Sequence, residues 1–286
     1  MSTNFNLNNH LTLSQQVANS LKKIDGVKAI VLGGSLARGE GHPDSDIDLG
    51  IYYDPHSKPS IDLLRDKARE LDDRHASDLM TDFGEWGKWV NGGGWLTINN
   101  QAVDLLYRDL DFVNKVVADC EEGNPTCDYY PGHPHGFHNH VYLSEIHFCQ
   151  VLYDPFDIMA SLKKRLKTYP PLLKKAIIEK YLWEAEFSLK TSLKAANRED
   201  IFYVIGCFFR CIACLIQVLF ALNERYFINE KSAVMIVDTL TKKPPQFKEM
   251  IVTILSGSGR DASELLDSAN KIRVLIENVK NCLTLT

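Results

Sequence analysis

The chain has 286 residues, which predicts two domains, and its 45% hydrophobic and 24% charged residues are ordinary for a globular protein. Its 32 basic and 37 acidic residues leave a net charge of −5. Because nucleic-acid binding depends on neutralising phosphates, this balance argues against a protein that wraps DNA or RNA.

The cysteines and the N-terminus predict a cytoplasmic protein with free thiols. The first ten residues, MSTNFNLNNH, lack a basic-then-apolar signal segment, and the seven cysteines are an odd number. Cys207, Cys211 and Cys214 fall at helical spacing, so we expect buried small side chains there, with metal ligation as the alternative. The apolar run 201–222 contains an arginine and a glutamine, which favours a buried helix over a membrane span.

The first half of the sequence alternates helix-like and strand-like segments. A helix is predicted with Thr12 or Ser14 as its N-cap, and another with Ser60 as its cap. Short apolar runs predict strands, and Asn99-Asn100 predicts the turn of a hairpin. The predicted strands cover 27–34, 46–53, 95–98, 102–107 and 149–154. The stretch 124–140, rich in proline, glycine and histidine, is predicted to be a loop.

After Pro155 the pattern is helical throughout. A long helix with prolines at its start follows residue 170, and the mostly apolar run from residue 201 predicts its neighbour. We therefore predict an α+β N-terminal domain (1–157) with a small mixed sheet, followed by an all-α helical-bundle domain (158–286).

A glycine-rich turn follows the first predicted strand. Gly33 and Gly34 allow close approach of a phosphate to the backbone, whose N–H groups and the Ser35 hydroxyl can donate to it. Arg38 lies three residues on, within reach of the same anion. The alternative is an ordinary tight turn between a strand and a helix.

Three aspartates on predicted strands suggest a metal site. Asp46 and Asp48 are two residues apart, so both point to one face with Cα atoms about 7 Å apart. Carboxylates at this spacing suit Mg²⁺. Asp104, between Val103 and Leu105, is the candidate third ligand. A solvated edge strand is the alternative for the pair, and an outward-facing residue for Asp104.

The sequences GGSLARG and DSDIDL, with a later acid on a strand, resemble the nucleotidyltransferase superfamily related to DNA polymerase β. The resemblance maps its glycine-serine turn onto Gly33, Gly34 and Ser35, and its carboxylates onto Asp46, Asp48 and Asp104. It implies transfer of a nucleoside monophosphate from an NTP, with ATP favoured, at a two-metal Mg²⁺ site. The layout is similar to that of kanamycin- and lincosamide-type enzymes, which implies a small-molecule hydroxyl acceptor such as an antibiotic.

The same resemblance suggests further site residues and partners. Lys231 is a candidate for contacting the triphosphate, and Asp104 or Glu145 for the general base. We expect no nucleic-acid or membrane partner, and a homodimer is compatible with the sequence. Protein adenylylation, as in antitoxin-like relatives, and an inactive nucleotide-sensing module are the alternatives.

Two segments each allow two interpretations of their role. Histidines 133, 135, 138 and 140 are expected to lie in a loop that shapes the acceptor pocket, with a zinc site as the minority alternative. The segment 82–95 holds three tryptophans among glycines. It predicts either a mobile aromatic flap over a flat or sugar-like acceptor, or packing beneath a loop.

Overall fold

The computed structural model describes residues 7–284 as two compact units. The first unit comprises the chain up to Ala118 together with Tyr142–Thr168. The second comprises Asp119–Val141 and the chain from Tyr169 onward. This division differs from the single boundary predicted after residue 157. Residues 119–141 belong to the second unit although they precede that boundary.

The helices and strands follow the chain in this order: α1 (Leu7–Leu21), β1 (Val27–Leu32), α2 (Gly34–Ala37), β2 (Ile47–Tyr53), α3 (Ile61–Leu71), β3 (Gly93–Ile98), β4 (Gln101–Asp109), α4 (Leu110–Glu121), β5 (Cys127–Tyr130), β6 (His133–His138), α5 (Val141–Phe148), β7 (Gln150–Tyr153), α6 (Ile158–Arg165), α7 (Pro171–Ala196), α8 (Ile201–Leu222), α9 (Ala233–Thr239), α10 (Phe247–Ser256) and α11 (Ala262–Thr284). The α+β first part and the helical region from α7 onward confirm the predicted fold class.

The first unit is built on a five-stranded mixed sheet with the order β3-β4-β2-β1-β7. β2 and β4 pair in parallel, and the other neighbours pair antiparallel. A parallel pair needs a crossover connection, which α3 and β3 supply here. All five strands were predicted from their apolar, β-branched runs.

One face of this sheet is the hydrophobic core. Ile47, Leu49 and Ile51 alternate along β2 and are fully buried, in one cluster with Val17 of α1 and Leu64 of α3. Because side chains alternate across a strand, this burial directs Asp48 to the opposite face.

The β3–β4 hairpin turns at Asn99 and Asn100, as predicted. Both residues have positive φ, 53° and 61°, which is the backbone of a two-residue hairpin turn. The turn places Ile98 opposite Gln101, and the register then runs back without interruption to Trp95 opposite Asp104.

Two predictions of local structure were wrong. Thr12 and Ser14 do not cap α1; each hydroxyl donates to a carbonyl one turn earlier, on Asn8 and His10, at 2.7 Å. The stretch predicted as a histidine-rich loop is mostly the hairpin β5–β6, a separate two-stranded sheet. Its proline at position 134 is tolerated because a two-stranded sheet has only edge strands.

In the second unit, α7 and α8 pack against each other, and α11 packs on both. α8 is long and apolar enough to cross a membrane by composition, but most of its apolar window is buried inside the structure. Cys211 and Cys214 are buried along it, and all seven cysteines are free thiols. Cys211 and Cys214 therefore fill space, as predicted, whereas Cys207 is only partly buried.

A stacked pair of buried histidines lies beside α7 and α8. The rings of His138 and His140 are 5.0 Å apart and inclined by 18°. His138 Nδ1 lies 2.8 Å from the Tyr181 hydroxyl, and His140 Nε2 lies 3.1 Å from Gln217 Oε1. Burial lowers the pKa of His140 to about 3, helped by Lys180, and lowers that of His138 well below its ordinary value, helped by His140.

We expect acid to destabilise the second unit. Below the pKa of an unfolded histidine, near 6.5, the unfolded chain binds protons that the buried rings do not, so stability falls as pH decreases. His140→Gln should recover about 2 kcal/mol relative to wild type between pH 7.5 and pH 5, measured by urea unfolding. His56→Gln, at an exposed ring, is the control. Identical pH slopes in all three proteins would contradict this.

Candidate functional site

The predicted carboxylates meet on the open face of the sheet. Asp48 on β2 and Asp104 on β4 are direct partners in the parallel register, so their side chains lie side by side on neighbouring strands about 4.8 Å apart. On the other side of β2, the Gly33 N–H donates to the Asp48 carbonyl oxygen at 2.8 Å. One row across the sheet therefore contains the glycine turn, Asp48 and Asp104.

The second glycine of the turn is required by Asp48. Gly34 has a φ of +62°, and a Cβ built on it would lie 1.8 Å from Asp48 Oδ2. The carboxylate thus occupies the space that any side chain at position 34 would need. The glycine turn and the strand aspartate are consequently a single structural unit.

Asp46 precedes β2 instead of lying within it, and it is exposed. Its loop is held through Ser45, whose carbonyl accepts from Gln101 Nε2 at 2.8 Å and whose hydroxyl accepts from the His42 N–H at 2.9 Å. The Ser35 hydroxyl donates to the same Ser45 hydroxyl at 3.2 Å. Ser35 therefore links the glycine turn to the aspartate loop.

The carboxylates share a site that disfavours their charge. The pKa of Asp48 is raised to about 6, mainly by burial and then by the charges of Asp104, Asp46 and Glu145. The pKa of Asp104 is raised to about 6 by burial and by Asp46. Neither carboxylate has a hydrogen-bonded or ion-paired partner among residues 7–284. The site is therefore short of positive charge.

Arg38 supplies part of that charge. Its Nη1 donates to the Gly34 carbonyl at 3.2 Å, its Nε pairs with Glu40 at 2.7 Å, and its charge lowers the pKa of Asp48. The guanidinium is therefore fixed beside the glycine turn, where the sequence predicted an anion-binding group.

Glu145, a predicted candidate for the general base, is paired with Arg108. Nε and Nη2 of Arg108 each donate to a different oxygen of Glu145 at 3.1 Å, and Arg108 is buried. This agrees with the alternative for Glu145, a partly buried glutamate with an ion partner. The identity of that partner was not predicted, because the strand pattern places Arg108 on the face of Asp104 but does not encode its contact with α5. Lys231 lies in the second unit and is exposed, and its role stays a prediction.

Sequence reasoning also missed the place of Trp95. It is the direct antiparallel partner of Asp104 and is 61% exposed, so it extends the row of the glycine turn, Asp48 and Asp104 by one strand. Trp86 stacks on it at 4.4 Å. Counting back from the Asn99-Asn100 turn would have placed Trp95 opposite Asp104.

The site fits a hard divalent cation in its chemistry. Among residues 7–284, no three His, Cys, Asp or Glu side chains form a ready metal shell. Mg²⁺ does not require one, because it commonly takes one or two carboxylates and completes its shell with water and substrate phosphates. Two half-buried carboxylates without donors, Asp48 and Asp104, are the groups that such an ion would satisfy.

The glycine requirement can be tested with a matched pair of variants. Gly34→Ala and Gly39→Ala both place a side chain at positive φ, but only position 34 meets Asp48, while nothing lies within 4 Å at position 39. Gly39→Ala should cost about 1 kcal/mol, and Gly34→Ala clearly more, because Asp48 must move. Urea unfolding measures both values. Equal costs would show that the close approach does not matter.

The strain between the carboxylates predicts a variant more stable than wild type. Because the pKa of folded Asp48 lies above its ordinary value near 4, its ionisation opposes folding at pH 8. Without metal, Asp48→Asn should be more stable at pH 8 by about 1–2 kcal/mol, after discounting for its partial exposure. The gain should shrink as pH falls through 6 and vanish near pH 4.

The control for this measurement is Asp44→Asn, which removes the same charge from an exposed position nearby. It should change stability by no more than about 0.5 kcal/mol. A wild type as stable as Asp48→Asn at pH 8 in EDTA would show that the carboxylates are not strained.

The glycine turn, Asp46 and Asp48 lie in a segment that matches a known family. Residues 14–86 match the family model described as a nucleotidyltransferase domain, and residues 138–231 match a domain of unknown function, DUF4037. A solved nucleotidyltransferase-like protein from Exiguobacterium sibiricum is 9% identical, with a TM-score of 0.47, covering 94% of this chain and 78% of that one. No curated protein matches the chain.

Proposed function

We propose that this chain, in which residues 14–86 match a nucleotidyltransferase domain, is a Mg²⁺-dependent enzyme that transfers a nucleoside monophosphate. The donor is an NTP, with ATP favoured, and the acceptor is a hydroxyl group of a small molecule. The bond between the α- and β-phosphates breaks, the acceptor oxygen bonds to the α-phosphorus, and pyrophosphate leaves.

The observation that carries this proposal is the pairing of Asp48 with Asp104. Two carboxylates lie side by side, half-buried and without donors, although burial raises the pKa of both, helped by Asp104 at Asp48 and by Asp46 at Asp104. A protein that did not bind a cation there would gain stability by losing one of them. Because the carboxylates lie beside a glycine turn that can bind phosphate, a cation held by them would lie next to that phosphate.

The glycine turn is suited to hold the phosphates. The N–H groups of Gly34, Ser35 and Leu36 lie in the first turn of α2, where no intrahelical acceptor is available to them. Arg38, fixed on the Gly34 carbonyl, adds a positive charge beside the same turn. These groups would bind the leaving pyrophosphate end of the donor.

Asp48 and Asp104, with Asp46, would hold the metal. When bound, Mg²⁺ would offset the charge that develops on the transferred phosphoryl group. The protein's own task is then to fix the donor and the acceptor hydroxyl in line, with their positions set by the sheet.

Asp104 suits the role of proton acceptor better than Glu145 does. Both oxygens of Glu145 already accept from Arg108, whereas Asp104 has no hydrogen-bonded partner among residues 7–284. We therefore assign the acceptor proton to Asp104 and a charge-setting role to the Arg108–Glu145 pair.

The proposal is tested by calorimetric titration of ATP, GTP, CTP and UTP, with and without Mg²⁺. Wild type should bind at least one nucleotide in a Mg²⁺-dependent manner. The double variant Asp46→Asn, Asp48→Asn should lose at least tenfold in affinity, because the metal is no longer held. Asp44→Asn, matched in charge and close in sequence, should bind like wild type.

Two results would contradict the proposal. Equal binding by wild type and the double variant would show that the aspartates do not hold the nucleotide's metal. Tight Mg²⁺-dependent binding without any release of pyrophosphate, across hydroxyl-bearing acceptors, would instead indicate a nucleotide-sensing module.

A further inference from the structure

An exposed tryptophan lies beside the carboxylates on the open face of the sheet. Trp95 on β3 is the antiparallel partner of Asp104, and Asp104 is the parallel partner of Asp48. Residues paired in this way point to the same face of a sheet, about 5 Å from one partner to the next. Trp95 remains 61% exposed, although it is one of the largest apolar side chains of the unit.

One face of the Trp95 ring is covered by a second tryptophan. Trp86 stacks on it, with ring centroids 4.4 Å apart and planes inclined by 26°. The backbone of Trp86 is fixed by an N–H bond of 3.0 Å to the Asn91 carbonyl, and the Asn91 side chain donates to the buried Tyr53 hydroxyl at 2.8 Å. These bonds tie the aromatic segment to the core of the first unit.

The backbone of Trp95 is fixed as well. Its carbonyl accepts from Arg74 Nη2 at 3.1 Å, and Arg74 is itself paired with the buried carboxylate of Asp72. Gly94 next to it allows no side chain, since a Cβ would lie 2.4 Å from the Leu79 carbonyl oxygen. The indole is therefore a preorganised surface, and stacking on it costs little ordering of the protein.

The order of the row decides which substrate meets Trp95. Across the sheet from β1 to β3, the row runs from the glycine turn through Asp48 and Asp104 to Trp95. If the pyrophosphate lies over the turn, in-line attack brings the acceptor from the opposite side of the α-phosphorus. That side is the one on which Asp104 and Trp95 lie.

We propose that Trp95, backed by Trp86, is the acceptor-binding platform, and that the acceptor presents its hydroxyl on a ring with a flat or apolar face, aromatic or pyranose. This rests on the proposed function for the direction of attack. Indole stacking with such a ring is tolerant of ring identity, and its removal typically weakens binding by about five- to a hundredfold.

The test uses phenyl β-D-glucopyranoside as the ring probe and D-sorbitol as an acyclic polyol. Saturation-transfer NMR titrations compare wild type, Trp95→Ala, Trp95→Phe and Trp183→Ala. Trp183 is the matched control, since it is 63% exposed and stacked on Phe187 in the second unit. Mg²⁺-ATP affinity is measured on the same four proteins by calorimetry.

The ring probe should bind wild type and Trp183→Ala equally, bind Trp95→Phe within about threefold, and bind Trp95→Ala at least tenfold more weakly. Sorbitol should bind none of them, and Mg²⁺-ATP affinity should be the same in all four. If the probe binds through Trp95 but the protein binds no nucleotide, the platform is supported and the proposed function is contradicted.

Three results would overturn the platform. In the first, the ring probe binds Trp95→Ala with the same affinity as wild type. In the second, the ring probe does not bind wild type. Alternatively, Trp95→Ala would lose Mg²⁺-ATP affinity and keep probe affinity, which would show that the indole stacks on the nucleobase.

Discussion

The parallel register between β2 and β4 is the constraint on which the candidate site depends. It makes Asp48 and Asp104 direct neighbours, and the hydrophobic alternation of β2 keeps Asp48 on the open face of the sheet. Shifting β2 by one residue would bury Asp48 in the core and expose Ile47 and Leu49. The like-charge pair is thus a consequence of how the core is packed.

The groups around Asp48 and Asp104 reduce the repulsion between the two carboxylates but do not neutralise their charge. Arg38 lies close enough to lower the pKa of Asp48, yet it is bound to Gly34 and Glu40. Arg108 is matched by Glu145, so their buried pair adds little net charge to the face. What remains is a local deficit of positive charge, which a dication would fill. This is the physical link between the fold and the proposed phosphoryl chemistry.

The second unit has a different basis for its stability. Its core is a helix pair and a histidine-bearing hairpin, in which polar rings are buried neutral and bonded to Tyr181 and Gln217. Because burial keeps these imidazoles neutral, folding excludes protons that the unfolded chain binds as the pH falls. The predicted zinc alternative for these histidines has no ligand cluster to support it among residues 7–284. Two of the four histidines, His138 and His140, serve this core.

The sequence alone determined the local features of the protein. Apolar alternation identified the sheet strands, the Asn99-Asn100 turn identified the hairpin, and the spacing of Gly33, Asp46, Asp48 and Asp104 indicated a phosphate and metal site. These features are local because the chain's own period and turn residues specify them. Only the tertiary structure decided which residues face one another across strands and helices. Pairing of Arg108 with Glu145 and contact of Gly34 with Asp48 depend on packing between separate elements, which local pattern does not encode.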